Sequence, residues 1–349
     1  MTFKIESVLK GIEGLSNDDY LEMKIIQDNL LKPKGSLGKL EGISCKLAGI
    51  YHLAPPPFPV KPTVAIFAGD HGVVSEGVTQ WSSDVTSQMV GNFLNGKAGV
   101  NVLANVAGCE VVVVDVGIKS DLEDRPKLLK RKVGYGTKNI RVEDAMSLDE
   151  AYLAVDTGIN IADELIQNGS NMLISGDMGI GNTTASAAII AAITRIDPRS
   201  ATGRGTGITD SELENKIKVI TDAIARSSAA VESGSPFEIL SSLGGYEIGA
   251  ISGFILGAAY RKIPVIVDGV ISLAGALLAH EISSVSTQYL ISGHRSTEPG
   301  ASKAIEYMGL DPILDLDMRL GEGSGAVLAY NIVKSSIHVA NEMATFDSL

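Results

Sequence analysis

The chain has 349 residues, enough for one large core or for two domains that share an interface. Its 45% hydrophobic and 20% charged residues are typical of a globular protein and exclude a disordered chain. A formal charge of −12, from 41 acidic and 29 basic residues, opposes sequence-independent binding to nucleic acid or to anionic membranes.

The N-terminus carries no apolar run suited to a signal peptide, and no later window stays apolar for the roughly 18 residues that a membrane span requires. Cys45 and Cys109 are the only cysteines, so we expect two buried free thiols rather than a disulfide framework. These features predict a cytoplasmic protein with no membrane partner and no nucleic-acid partner.

Three segments follow one another along the chain. Residues 1–60 form a mainly helical segment that ends in HLAPPPFPVKP, where the prolines indicate a stiff connector. Residues 61–310 are expected to form the large domain. Residues 311–349 contain a loop and a closing helix, GSGAVLAYNIVKSSIHVANEMATF, which we expect to pack with the first segment into a small helical domain.

Within the large domain, short β-branched runs alternate with stretches of helical spacing, and each run ends in glycine or a polar residue. This alternation predicts an α/β fold, a parallel sheet with helices on both faces, whose ligand site lies at the carboxyl edge. The predicted strands are TVAIFAG from Thr63, EVVVVDVG from Glu110, NMLISGDMG from Asn171, IPVIVDGV from Ile263 and QYLISGHRS from Gln288.

The run SGDMGIGNTTASAA indicates a strand that ends at Gly176 and a helix that begins near Asn182. Backbone amides at such a helix start can bind an anion, and Gly179 and Gly181 allow close approach. Thr183 can add a hydroxyl hydrogen bond. An ordinary strand-to-helix turn explains the pattern equally well.

Two nucleotide-binding patterns are not met. The turn reads G-x-x-G-x-G rather than the G-x-G-x-x-G of dinucleotide-binding proteins, and no P-loop is present. VVVVDVGIKSD lacks the paired acids of transferases that use ribose pyrophosphate with magnesium. The five histidines, at 52, 71, 280, 294 and 338, show no metal-ligand spacing, so no metal is expected.

A second glycine cluster, ATGRGTGITDSELENKIK, places Arg204 and Lys216 near flexible backbone, where they could clamp a phosphate. A solvated helix face is the alternative for Lys216. In GDHGVVSEGVTQWSSDVTSQMV, Trp81 and Met89 could form a flat apolar slot for an aromatic base, with His71 nearby. Plain packing of the tryptophan, and loop orientation by the histidine, are the alternatives.

Glu322 lies between Gly321 and Gly323 in RLGEGSGA, directly before an apolar helix. We expect this turn to be exposed and its glycines to let a ligand approach closely. Apolar neighbours such as Leu320 would raise the pKa of the Glu322 carboxyl and make it a better base. A carboxylate that complements the helix dipole is the alternative.

Seven segments together resemble the nicotinate-nucleotide:dimethylbenzimidazole phosphoribosyltransferase family, in the correct order over nearly the whole chain. They are KPKGSLGKLE, GDHGVVSEGV, GDMGIGNTT, GGYEIGAISG, VIVDGVISLAGALLA, SGHRSTEPGA and LDMRLGEGSGA. The resemblance implies a Rossmann-like large domain, a small helical domain from both chain ends, a homodimer, no metal and no cofactor. It also implies transfer of the 5-phosphoribosyl group from nicotinate mononucleotide to 5,6-dimethylbenzimidazole or a related base.

The resemblance assigns a role to each matching residue. Glu322 is the catalytic proton acceptor, and the position of Asp177 holds glutamate in some members. The implied phosphate and ribose site comprises Gly176, Asp177, Gly179, Gly181, Asn182, Thr183, Gly205, Lys216, Ser292 and Gly293. The implied base site comprises Trp81, Gln88, Met89 and Leu320, in a part of the family that varies. A nicotinamide-dependent oxidoreductase and a non-catalytic nucleotide or corrinoid carrier are the alternatives.

Overall fold

The computed structural model describes residues 4–348 and contains one six-stranded sheet. The strands are β1 (Pro62–Gly69), β2 (Glu110–Gly117), β3 (Leu128–Lys130), β4 (Met172–Met178), β5 (Val265–Val267) and β6 (Leu290–Ser292). All neighbours pair in parallel, in the order β3-β2-β1-β4-β5-β6. The predicted α/β fold class is therefore confirmed, and so are its five strands.

Helices cover both faces of the sheet, which explains why apolar residues of the strands point to both faces. All eight residues of β1 are buried. The helices are α1 (Ile5–Gly11), α2 (Asn17–Asn29), α3 (Lys39–Tyr51), α4 (Asp84–Leu94), α5 (Gly99–Ala107), α6 (Leu148–Gln167), α7 (Asn182–Thr194), α8 (Pro198–Ala201), α9 (Asp210–Arg226), α10 (Ser228–Ser233), α11 (Pro236–Leu243), α12 (Tyr246–Tyr260), α13 (Val270–Ile282), α14 (Pro299–Met308) and α15 (Ser324–Glu342).

Alternate residues of the strands face two different cores. In β1, Phe67 packs with α6, α7, α12 and α13, whereas Ile66 packs with α3, α4, α5 and α15. Helices α6 and α12 approach closely because Gly158 and Gly253 lack side chains, and a Cβ at either glycine would collide with the facing backbone. Strand β3 was not predicted, because three residues are too short to show a period.

The two chain ends meet beside the sheet. Met23 of α2, Cys45 and Ala48 of α3, and Ala340 of α15 form a separate small apolar cluster. Helix α1 instead packs its Ile5 against the large core. The division into a large and a small domain, with its boundaries near residues 60 and 310, stays a prediction. Cys45 is buried and Cys109 is partly buried, and both are free thiols.

Two features of the fold bear on function. The strand order reverses between β1 and β4, and in open parallel sheets ligands bind at the carboxyl edge next to such a reversal. Among the described residues, no helix combines the length and the apolar character needed to cross a membrane.

Candidate active site

A cavity of about 620 Å³ lies at the carboxyl edge, beside the reversal of strand order. Its lining comes from the segment after β1, the turns after β4 and β5, and the loops that follow β6. These segments diverge where the strand order reverses, so they leave an opening between them. The sequence predicted a site at this edge because polar and glycine residues follow each strand there.

Three consecutive residues before α15 have left-handed backbone, with φ of +80° at Gly321, +64° at Glu322 and +94° at Gly323. This conformation costs a residue with a Cβ about 1–2 kcal/mol, so the turn is held by its surroundings. One support is Gly176 of β4, where a Cβ would collide with the carbonyl oxygen of Glu322. Gly176 thus permits close packing of this turn on the sheet.

The Glu322 side chain is only 7% exposed and lines the cavity. The predicted exposed turn is therefore wrong for this side chain, because the start of α5 covers it: Glu322 Oε2 accepts a hydrogen bond from the Val100 amide at 3.1 Å. Burial raises the pKa of Glu322, the Val100 bond opposes that rise, and the charge of Asp268 adds to it. Leu320, expected to shield it, is 58% exposed.

Asp177 is the penultimate residue of β4, lines the same cavity and is 4% exposed. Its Oδ2 accepts a hydrogen bond from Asn182 Nδ2 at 3.0 Å, whereas its Oδ1 has no hydrogen-bond partner among the described residues. Burial raises the pKa of Asp177 well above its usual range, and the charges of Asp268, Glu247 and Glu322 raise it further. The cavity therefore suits a ligand that brings positive charge toward its floor.

The turn after β4 leads directly into α7, as predicted. Helix α7 begins at Asn182, and its N-cap Gly181 has a φ of +93° and no side chain to cap the amides. The amides of Asn182 and Thr184 bond back to Gly179 and Gly181 at 3.1 and 3.0 Å. Anion binding here therefore depends on groups beyond these two amides.

Lys216 of α9 supplies a buried cation beside this turn. Its Nζ donates to Thr183 Oγ1 at 2.8 Å and to the Gly203 carbonyl at 3.2 Å, in a small recess of about 40 Å³. Both of these partners are neutral, and no carboxylate among the described residues forms an ion pair with Lys216. Burial lowers the pKa of Lys216 to about 8, although the charge of Glu298 opposes that shift. An incoming phosphate would supply the missing negative charge.

The outer side of the cavity is apolar and open. Trp81, Val85 and Met89 line it after β1, and Leu320 lines it near the C-terminus. Trp81 is 52% exposed, so its indole ring offers free surface on which a planar heterocycle could stack. His71, by contrast, is fully buried and pairs with Glu247 at 2.7 Å, so it packs beneath the site and does not line the cavity.

The structure places the predicted residues in three groups. Most line the cavity: Trp81, Met89, Asp177, Gly179, Asn182, Thr183, Gly205, Leu320 and Glu322. Gly181 and Lys216 line the small recess next to it. The remaining four lie elsewhere: Gly176 packs on the Glu322 turn, Gly293 packs on Ala326, Gln88 is exposed outside the cavity, and Ser292 lines a second cavity beside α3.

Sequence reasoning missed several residues of the site. His294, Ser296 and Glu298 follow β6 and line the cavity, and Arg319 projects from the loop before Glu322. Glu298 Oε1 accepts a hydrogen bond from the Gly205 amide at 2.8 Å. Their one signal was that they lie inside SGHRSTEPGA and LDMRLGEGSGA. Their chain positions do not show which side chains face inward.

Comparisons with known proteins agree along the whole chain. A family model described as "Phosphoribosyltransferase" matches residues 12–348. The nicotinate-nucleotide–dimethylbenzimidazole phosphoribosyltransferase of Salinispora tropica is 45% identical over 358 aligned residues, covering 99% of this chain and 98% of the relative. The protein of that name from Chloroflexus aggregans is 47% identical over 320 residues, covering 92% and 90%.

A solved structure has the same fold. The crystal structure of the nicotinate-nucleotide–dimethylbenzimidazole phosphoribosyltransferase from Thermus thermophilus aligns with a TM-score of 0.90 at 39% identity. The alignment covers 96% of this chain and 98% of that chain. Sequence and fold therefore point to the same group of proteins.

Proposed function

The chain belongs to the nicotinate-nucleotide–dimethylbenzimidazole phosphoribosyltransferase family, and we propose that it moves the 5-phosphoribosyl group from nicotinate mononucleotide to 5,6-dimethylbenzimidazole or a related base. The products are nicotinate and α-ribazole 5′-phosphate, a precursor of the nucleotide loop of cobalamin. This membership replaces the oxidoreductase and carrier alternatives. One observation carries the proposal. The buried Glu322 carboxyl lines the same cavity as Trp81, and the recess that contains Lys216 adjoins this cavity.

The chemistry of the two bases assigns the task of Glu322. In nicotinate mononucleotide the glycosidic nitrogen is a pyridinium, so the electron pair of the broken C1′–N bond leaves it neutral and no acid is needed. The attacking benzimidazole forms the new C1′–N bond with one ring nitrogen and must lose the proton of the other. Glu322 accepts that proton, and its raised pKa makes it a stronger base than an exposed glutamate.

The other side of the cavity holds the sugar phosphate. Lys216 and Thr183 bind the phosphate, which fixes the ribose and orients C1′ toward the acceptor base. Positive charge grows on the ribose as the glycosidic bond breaks. Asp177 lies at the cavity floor and, once ionised by that nearby cation, stabilises the charge. Direct displacement inverts the anomeric centre, and the proposal uses no metal and no cofactor.

One assay tests the proposal. The purified protein is mixed with nicotinate mononucleotide and dimethylbenzimidazole, and released nicotinate and ribazole phosphate are separated by chromatography. We expect both products in equal amounts, with the α configuration established by NMR. Nicotinate release that does not depend on the base would indicate a hydrolase, and the absence of release under all conditions would refute the proposal.

We also propose that the protein acts as a homodimer in the cytoplasm. Tyr20, Leu21 and Ile25 of α2 are 36%, 47% and 70% exposed, an apolar surface that suits a second copy of the chain. The two free thiols suit a reducing compartment. Sedimentation equilibrium should give twice the 36.5 kDa mass of one chain.

A further inference from the structure

Asp268 directly follows β5 and is fully buried, yet it does not line the cavity. Its carboxylate accepts two main-chain hydrogen bonds at the start of α15. Oδ2 accepts from the Gly323 amide at 3.2 Å, and Oδ1 accepts from the Ala326 amide at 2.9 Å. The N-cap residue of α15 is Gly323, which has no side chain that could cap the helix. Asp268, from the segment after β5, accepts these amide hydrogen bonds instead.

This cap acts on the residue next to Glu322. Gly323 follows Glu322 in the left-handed turn, and its bonded amide is the peptide that joins the two residues. On the opposite side, the Glu322 carbonyl packs against Gly176 of β4. The backbone of Glu322 is thus held between the ends of β4 and β5, and its strained φ of +64° persists because both contacts oppose its relaxation.

A second buried side chain packs against Asp268 without a hydrogen bond to it. His294 Nε2 lies 3.4 Å from Asp268 Oδ1, and both side chains are at most 2% exposed. His294 also occupies the space that a side chain at position 325 would need, so Gly325 lets α15 begin against the imidazole ring. The start of α15 is therefore hydrogen-bonded by Asp268 after β5 and packed against His294 after β6.

The charge of Asp268 also reaches Glu322. It raises the pKa of Glu322, as burial does, while the Val100 amide from α5 lowers it. Of the other titratable groups around the turn, Asp177 comes from β4 and His294 from the loop after β6. Loss of the Asp268 charge alone should leave these in place and lower the pKa at which Glu322 becomes a base.

We propose that Asp268 is a positioning residue: it holds the Glu322 carboxylate at the cavity through the main chain of α15 and does not touch the substrates. The inference rests on the proposed function, since it takes Glu322 as the base. It assigns a purpose to a buried carboxylate that sequence motifs did not distinguish.

Asp268→Asn tests this assignment. Asparagine keeps the shape, loses the charge and can accept only one of the two amide bonds. We expect kcat to fall roughly ten- to a hundredfold, as expected for a base displaced by about 1 Å, while the KM for nicotinate mononucleotide changes less than about twofold. The variant should keep a given fraction of its maximal kcat/KM down to a lower pH than the wild-type protein does. The reason is that Glu322 must be ionised to act as the base, and loss of the Asp268 charge lowers its pKa.

Asp115→Asn is the matched control. Asp115 lies near the carboxyl end of β2, is 1% exposed, accepts the Ile118 amide at 3.0 Å and pairs with Lys132 at 3.1 Å. It does not line the cavity and does not act on the pKa of Glu322. The fall of kcat/KM at low pH, the acid limb of the pH profile, should be the same in Asp115→Asn as in the wild-type protein, even if the melting temperature of the variant falls. A wild-type acid limb and wild-type kcat in Asp268→Asn would overturn the inference while leaving the transferase proposal intact. An inactive wild-type protein would instead refute the proposed function.

Asp268→Ser keeps the proposal testable if the asparagine variant does not fold. Serine is a native helix cap, so it can still accept an amide bond, and it carries no charge. The same fall in kcat and the same shift of the acid limb are expected. If both variants fail to fold while Asp115→Asn folds, Asp268 has a purely structural role and the inference is wrong.

Discussion

The inner and outer sides of the cavity differ in burial. On the inner side, Asp177 and Glu322 are 4% and 7% exposed, and Lys216 in the adjoining recess is 1% exposed. Each of the three has a fixed hydrogen-bond partner. On the outer side, Trp81 and Leu320 are 52% and 58% exposed and contact the cavity through apolar surface.

This difference in burial suggests that the two sides of the cavity have different tasks, one in the reaction itself and one in the choice of acceptor base. Proton transfer and phosphate binding need groups held within a fraction of an ångström, and packing provides that. Stacking of a planar base tolerates small shifts, because its energy depends on overlapping area more than on direction. The inner side should therefore determine rate, and the outer side should determine which base is used.

The largest expected loss of activity comes from replacing Glu322, the proposed proton acceptor. In Glu322→Gln, the amide oxygen can still accept the Val100 hydrogen bond, so the fold should persist. We expect kcat to fall about a hundredfold or more, in the range for loss of a general base. Nicotinate release at saturating substrates measures it, with circular dichroism as the check on folding. Wild-type rates across pH would remove Glu322 from the mechanism.

The next largest loss of activity is expected from a change in the recess that contains Lys216, where the phosphate is proposed to bind. Lys216→Met removes a buried cation, and hydrogen bonds to charged groups contribute about 1.5–3 kcal/mol, so kcat/KM for nicotinate mononucleotide should fall about ten- to a hundredfold. The KM for the acceptor base should change little. Lys218→Met, on the exposed face of the same helix, is the matched control. Equal losses in both variants would show that the effect is not specific to the recess.

The outer side should give a smaller and selective effect. Trp81→Ala removes a stacking surface that contributes about 0.5–1.5 kcal/mol, so the KM for dimethylbenzimidazole should rise roughly two- to tenfold. Activity with different bases should become more similar, and the KM for nicotinate mononucleotide should not move. Tyr135→Ala, at an aromatic side chain that is 61% exposed outside the cavity, is the control. A uniform loss for every substrate would contradict the division between the two sides.

The smallest effect concerns stability. The pKa of Asp177 is raised on folding, so ionising it costs stability as pH rises from its unfolded value toward its folded value. Asp177→Asn should therefore raise the free energy of unfolding by about 1 kcal/mol near pH 7, and the gain should vanish near pH 4. Urea unfolding at both pH values measures it. Destabilisation at pH 7 would show that the ionised carboxylate is favourable there.

The sequence predicted much of this fold because long apolar strands and helical periods are local signals. The strands from Thr63 and Glu110 were recognisable because they are short apolar runs rich in β-branched residues that end in glycine. Strand β3 was missed because three edge residues carry no period. For the site, glycine turns and a lone Glu322 were visible in the sequence, whereas the burial of Glu322 was not, since it depends on a contact 222 residues away.

By itself, the sequence determined the alternation of strands and helices, the carboxyl-edge location of polar residues, and the motifs that carry the family resemblance. These follow from side-chain period and from residue identity, which are properties of short segments. Only the tertiary structure decided that Asp268 and His294 support the Glu322 turn, that Gly176 and Gly293 serve packing, and that Gln88 faces outward. These facts depend on which distant segments meet, because burial and pKa are set by neighbours in space.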